Sequence, residues 1–338
     1  MKPILLLLTG GTIGSTVDNG VIHTDSRSCR VLELYEQRYG RDICFETVQL
    51  MDILSENLRK EHWVTIVNYL SQTDTDRYSG IIITHGSDTL SYSSAFLGLC
   101  LHHLPCPVVL TAADRIPDHP QSNAVCNLRA SILLLQNVRQ GVYTVYRNPG
   151  DSFTSVWLST RIQEADRVFG RFSSIDGQTF CRIQEDRLLS LNVTDAPTLP
   201  LSLPYPLTLP FDVLMVQPYP SIDYRCLVPG DTCRAILHLT YHSSSASIQN
   251  DNSALSFLLS CRERGIPFYL LSFSDDRDSL YETSHCLLQQ GAVSLPHTTK
   301  ETAYAKLLLS VNVPTVLPPD FLQRSVFFEK VSIKGAFA

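Results

Sequence analysis

The sequence predicts an α/β protein: a larger N-terminal domain built on a mostly parallel sheet, followed by a smaller α/β domain. Three observations predict it. Apolar runs ending in turn residues alternate with stretches of helical period as far as Val142, which is the signature of βαβ units. The first run is continuously apolar, as strands covered on both faces are. Finally, three of the runs stop at "TGGT", "HGSD" and "TAAD", which places these turns at the carboxyl ends of neighbouring strands. In open α/β sheets that rim is where ligands bind.

The elements follow in order. "ILLLL" is the first strand; five aliphatic residues after a lysine are too few for a signal peptide, and no small-residue cleavage pattern follows. A helix over 27–39 precedes the strand "CFETVQL", a helix over 61–70 precedes "GIIITHG", a helix over 88–102 precedes "CPVVLTAA", and a helix over 121–136 closes the series. Beyond Val142 the pieces become shorter and β-like. Residues 195–210 carry five prolines, cannot be helical, and read as a semi-rigid connection. Alternation then resumes with "FDVLMVQ", "AILHLTY", a helix over 255–264, "IPFYLLSF", and helices over 279–290 and 301–311. The expected organisation is a domain over 1–194, a linker over 195–212 and a second domain over 213–338.

Composition narrows the function. The chain is 44% hydrophobic and 18% charged, with a net charge of −6 and 27 scattered lysines and arginines, so no nucleic-acid face or membrane-binding patch is expected. No stretch approaches the ~18 apolar residues that a membrane span needs, and the chain reads as soluble and cytoplasmic. Ten cysteines without a CxxC pair or a histidine cluster point to reduced, mostly buried thiols, with neither disulfides nor a metal site. No cofactor is expected, and the partner is a small molecule.

The chemistry lies in the turns. "TGGTIG" lacks the GxGxxG pattern of a dinucleotide site and the GKS/T ending of a P-loop. By itself it is a structural turn, and Ser87 with Asp88 in "THGSDTLSYSSAF" could be an ordinary helix cap. Together the two hydroxyl-bearing turns are harder to explain by capping. They resemble the signature motifs TGGTI and HGTDT of the bacterial-type L-asparaginases. The likeness continues through "ILSENLRKEHW", "VVLTAADRIP", "SNAVCNLRAS", "RGIPFYLLSFS" and "ETAYAKLLLSV", and so covers nearly the whole chain.

The resemblance implies a flavodoxin-like C-terminal domain, an amidohydrolase in which a threonine hydroxyl attacks the side-chain amide of asparagine, and assembly as a homodimer or homotetramer. By position, Thr12 matches the nucleophile, and Ser87 with Asp88 matches the second hydroxyl and its aspartate. Ser55 and Glu56 match the loop that binds the substrate's carboxylate and amino group, and Ala112 matches the residue whose backbone lies near the scissile amide. The types suit these roles: a hydroxyl nucleophile needs a neighbouring base, glycines allow close approach, and carboxylates suit a free ammonium. The apolar second-domain helices also look too rich to be fully solvated, which favours an oligomer.

Two family groups are missing. The activating tyrosine is replaced by Val21 or Ile22, and no tyrosine lies between Thr12 and Tyr35. The lysine paired with the second hydroxyl falls on Arg161 or Gln163, and no lysine occurs between Lys60 and Lys300. Arginine cannot act as a neutral base. Asn123 replaces an aspartate, and the glycine-rich turn of the second domain reads "YHSSSAS". Replacement bases to consider are His23, Tyr92 and His85. Turnover is therefore expected to be slow and to rise toward alkaline pH. The alternatives are a weakened homologue that binds an acidic or amide amino acid as a sensor, and an amidotransferase component feeding ammonia to tRNA-linked chemistry. The latter is expected to carry an additional N-terminal domain, and a chain starting directly at the first strand counts against it.

Overall fold

A computed structural model describes residues 2–18, 21–24, 29–189, 191, 198–272 and 280–331. The chain divides into two units, Met1–Leu207 and Thr208–Ala338.

Strand β1 (Ile4–Gly10) is buried along its whole length, which its leucine run requires. The ribbon β2 (Ser15–Asp18) and β3 (Val21–Thr24) and helix α1 (Arg30–Tyr39) follow it. Strand β4 (Phe45–Ile53), α2 (Lys60–Gln72), β5 (Gly80–Thr84), α3 (Leu90–Leu101), β6 (Val108–Thr111), α4 (Ala124–Leu135) and β7 (Val142–Tyr146) complete the alternating part. The first unit ends in β-structure: β8 (Thr154–Leu158), the short ribbon β9 (Ile162–Gln163) with β10 (Ser173–Ser174), β11 (Cys181–Gln184) and β12 (Arg187–Leu189).

Eight strands form one sheet in the order β12-β11-β8-β7-β6-β5-β1-β4. From β4 to β7 the pairing is parallel, and β8, β11 and β12 join antiparallel. The chain runs outward from β1 to β4 and then crosses back to β5, so the winding direction reverses at β1. The turns after β1 and β5 flank that reversal, and such a switch point leaves a crevice at the strands' carboxyl ends. Helix α3 explains the sheet's solidity: every residue but Tyr92 is buried, and Phe96 stacks on Trp63 of α2 with centroids 4.9 Å apart.

The proline-rich stretch has no regular structure where it is described, yet it is not loose: Leu201, Leu207 and Leu209 are buried. Asn68 of α2 accepts from the Leu207 N–H at 2.8 Å and donates to its carbonyl at 3.0 Å. The sequence boundary at residue 194 falls outside the described residues.

The second unit has strands β13 (Asp212–Val216), β14 (Cys233–Leu239), β15 (Phe268–Ser272) and β16 (Val293–Pro296), all parallel and in sequence order, with helices α5 (Ala254–Glu263), α6 (Glu282–Gln289) and α7 (Lys300–Asn312). Strand β16 is absent from the sequence expectation. Its "VSLP" buries only Leu295 and so carries no alternation to read. Phe257 and Leu258 of α5 and 307–309 of α7 are buried, whereas Leu255, Leu259 and Val311 are half-buried. All ten cysteines are free thiols. Among the described residues no helix is long and apolar enough to cross a membrane, and no group of three metal-ligating side chains occurs.

Candidate active site

Three glycines press three turns together. Gly10 and Gly11 adopt φ of +98° and +79°, a region that L side chains rarely enter. A Cβ on Gly10 would lie 2.4 Å from the Ile53 carbonyl oxygen, and one on Gly11 2.4 Å from the Gly86 nitrogen. A Cβ on Gly86 would lie 2.4 Å from the Ser55 Cβ. The Gly11 N–H also bonds to the Ile53 carbonyl at 3.1 Å. The ends of β1, β4 and β5 are thus in backbone contact, and "TGGT", "ILSEN" and "HGSD" meet at the switch point.

Thr12 opens a single 3₁₀ turn (Thr12–Gly14) directly after β1 and is half-buried. Ser55 is buried and opens a second 3₁₀ turn (Ser55–Asn57), whose Glu56 is exposed. The Ser55 hydroxyl donates to the Asp88 carboxylate at 3.4 Å, and the Thr89 hydroxyl donates to the Ser55 carbonyl at 2.9 Å. Helix α3 begins later than the sequence implies. Its N-cap is Thr89, which makes no side-chain cap, and Ser87 and Asp88 stand in the turn before it. This removes the capping explanation for the pair.

Ser87 and Asp88 line a pocket of about 460 Å³, with Asp114, Tyr146, Glu164 and the loop 165–170 forming the rest of the wall together with Pro149. Thr12, Ser55, Glu56 and Ala112 are not among its lining residues. Asp114 and Tyr146 stand at the ends of β6 and β7, on the same rim of the sheet. Asp114 and Asn123 exchange bonds: the Asp114 N–H donates to Asn123 Oδ1 at 2.9 Å, and the Asn123 N–H donates to Asp114 Oδ1 at 3.1 Å. Burial pushes the Tyr146 phenol up to about 12, so it stays protonated. The carboxylate of Asp166 accepts from the N–H groups of Val168, Phe169 and Arg171 at 3.0, 2.7 and 3.0 Å, which fixes the loop and holds this carboxyl below its usual range.

Ala112 is fully buried, and its carbonyl accepts from Asn127 Nδ2 at 2.9 Å while the Arg147 N–H donates to Asn127 Oδ1 at 2.8 Å. Asn127 thereby ties the turn after β6 to the chain after β7.

The replacement bases fare unequally. His85 is enclosed: Nδ1 lies 2.7 Å from the Gly86 carbonyl, and Nε2 lies 2.8 Å from the Ser93 hydroxyl, which in turn accepts from Trp63 Nε1 at 2.8 Å. Burial lowers its pKa, both ring nitrogens are engaged, and the residue is structural. Tyr92 is the one half-buried residue of α3. His23 pairs with Thr16 in the β2–β3 ribbon, and the side chains of Val21, Ile22 and His23 lie outside the described residues. Arg161 forms an ion pair with Asp176 at 3.0 Å, Gln163 sits opposite Ser173 in the β9–β10 ribbon, and neither lines the pocket. The residue that does is Glu164. Sequence reasoning missed it, along with Asp114 and Tyr146; "TAAD" at a strand end was the available signal for Asp114.

The chain is similar to known proteins over most of its length. The family model described as Asparaginase, N-terminal, matches residues 3–187. An L-asparaginase from Thermococcus kodakarensis is 26% identical over 317 residues, covering 90% of this chain and 91% of that one. The D-type component of the glutamyl-tRNA(Gln) amidotransferase from Aeropyrum pernix is 25% identical over 318 residues, covering 90% of this chain and 73% of its own. In structure, the thermostable L-asparaginase from Thermococcus kodakarensis matches with a TM-score of 0.78 at 22% identity, over 98% of this chain and 99% of that one. L-asparaginase I from Vibrio cholerae matches with a TM-score of 0.73 at 20% identity, over 98% and 99% of the two chains. At these identities the structural matches speak for the fold.

Proposed function

The chain belongs to the asparaginase family, and from that premise we propose that it is an amidohydrolase that converts L-asparagine to L-aspartate and ammonia. The observation that carries this reading is the glycine packing that sets "TGGT", "ILSEN" and "HGSD" against one another at the switch point of the sheet. Thr12 attacks the side-chain amide carbon, ammonia leaves, and water opens the acyl-threonine. N–H groups of the Thr12–Gly14 turn hold the oxyanion. Asp88 and Glu56 receive the substrate's ammonium, Ser55 its carboxylate, and the Ala112 backbone flanks the scissile amide. L-glutamine is the second substrate to test. The protein works in the cytoplasm without a cofactor, as a homodimer or homotetramer.

Two other readings have an observation each. Relatives named as amidotransferase components favour a role in supplying ammonia to a partner protein. The missing tyrosine and lysine favour a sensor that binds without turnover.

The deciding experiment measures ammonia release from L-asparagine and L-glutamine, together with stabilisation by L-aspartate. Native protein releases ammonia; Thr12→Ala abolishes release and keeps aspartate binding; Asp88→Asn loses most of the aspartate-induced stabilisation. Binding without release supports the sensor, and release only with a partner supports the amidotransferase role. Turnover that survives Thr12→Ala removes the threonine from its role.

A further inference from the structure

Lys306 of α7 ties a polar knot with the segment that follows its helix. Its Nζ donates to the Arg324 carbonyl at 2.5 Å and to Glu329 Oε1 at 2.7 Å. An ammonium carries three N–H groups, so a third remains to be placed. The Phe321 ring, its centroid 4.9 Å from Nζ, offers that hydrogen an electron-rich face but no acceptor atom. Glu329 is already filled. Its Oε1 also accepts from the Val326 N–H at 2.9 Å, and its Oε2 accepts from the Val326 and Phe327 N–H groups at 2.9 and 2.8 Å and from the Ser325 hydroxyl at 3.3 Å. A second group nearby is short of a partner. Thr298, two residues beyond β16, is 4% exposed, and its hydroxyl bonds to no protein atom. Thr298, Lys306 and Glu329 line one cavity of about 10 Å³, together with the half-buried Lys330 and apolar side chains.

We propose that this cavity is a binding site for a single ordered water molecule, which accepts from the third Lys306 N–H and bonds to the Thr298 hydroxyl. The size admits nothing larger, because ~10–15 Å³ is the room that one water needs. A space so small also puts its lining side chains against the same molecule. The charges select a neutral occupant: the ammonium repels a metal cation and the carboxylate repels an anion. Apolar cavities of this kind stay dry, whereas a charged donor and a hydroxyl supply the two partners a buried water requires. A bridge of this sort is nearly as favourable as a direct bond, so it satisfies both groups where the protein has no atom to do so. The end of β16, α7 and the segment carrying Arg324 and Glu329 are thereby joined at one point. The site lies wholly in the second unit and stands apart from the amidohydrolase reading.

The test uses the full chain. Water-oxygen magnetic relaxation dispersion counts waters held for longer than the protein tumbles. The native protein should hold one more of them than Thr298→Val, which replaces the hydroxyl with a methyl and leaves the water a single side-chain partner; Thr298→Ser should retain it. Urea melts supply a sign. A buried hydroxyl with no partner is better replaced by a methyl, so Thr298→Val would raise the midpoint; a hydroxyl bridged to Lys306 is missed, and the midpoint should fall. The proposal is overturned if native protein and Thr298→Val hold the same number of long-lived waters, or if Thr298→Val unfolds at or above the native midpoint.

Discussion

Gly86→Ala tests the packing on which the site depends. No positive φ forbids alanine at this position, so any penalty comes from space. The new methyl would sit 2.4 Å from the Ser55 Cβ and 2.5 Å from its Oγ. Real Cβ atoms do not approach so closely, and Ser55 is a short, buried side chain at 6% exposure that cannot swing aside. Either the β4 turn or the β5 turn must move. Overpacking by one methyl costs ~1–3 kcal/mol, which for a unit of this length lowers Tm by about 2–12 °C. Displacing Ser55 also disturbs its 3.4 Å contact with Asp88, so stabilisation by L-aspartate should shrink in the same variant. Gly14→Ala is the matched control: its φ is not positive, and a Cβ there meets nothing within 4 Å among the described residues. Thermal melts with and without L-aspartate read both effects. A Gly86→Ala protein that melts and binds like the native one refutes the idea that these turns are held at contact distance.

Asn127→Ala should destabilise the first unit, because the buried Ala112 carbonyl and the Arg147 N–H each lose a partner, at about 1–3 kcal/mol for a buried group left unpaired; urea melts give the value, and an unchanged midpoint counts against the tie. In the second unit Lys306 Nζ meets Glu329 Oε1 at 2.7 Å with side chains 3% and 0% exposed. Lys306→Met leaves a buried carboxylate without its cation and should cost ~3–5 kcal/mol, with part regained in Lys306→Met/Glu329→Gln; equal melts of native and single variant would show that the pair contributes nothing. Burial alone raises the Glu329 pKa, but Lys306 and the backbone N–H groups outweigh it and hold the carboxyl below the usual glutamate range. The stabilisation is thus present above ~pH 4.3 and lost as pH falls below it, a slope that should shrink or change sign in the single variant, where burial is no longer outweighed by the cation.

The parallel sheet was legible because its strands are short apolar runs closed by turn residues, and β1, β5 and β6 lie where those runs predict. Helix ends were less legible. Helix α3 starts after Thr89 rather than at Ser87, and Thr89 gives it no side-chain cap because its hydroxyl is drawn to a carbonyl 34 residues away, which no local pattern reports. Strand β16 was invisible for want of alternation. At the site, the turns could be read from their glycines, since a position that excludes a side chain leaves a mark in sequence. Glu164 could not. Its place depends on how a two-residue ribbon ends and on the loop that Asp166 folds back, both of which are settled in three dimensions. His85 looked like a candidate base in sequence for the same reason: nothing linear links it to Trp63 and Ser93.

The Trp63–Ser93–His85 chain runs in one sense only. An indole N–H can only give, and the Gly86 carbonyl oxygen at the far end can only take. The proton on His85 is therefore on Nδ1, and the Ser93 hydroxyl points its hydrogen at Nε2. A trans peptide carries its C=O and its N–H on opposite sides. Anchoring the Gly86 carbonyl toward the imidazole accordingly turns the Ser87 N–H to the other side, away from the buried relay. A tryptophan in α2, with no part in the pocket, thus acts as a compass for the amide hydrogen of a residue on the pocket wall. Replacing it with phenylalanine would leave the ring's bulk but remove the bearing.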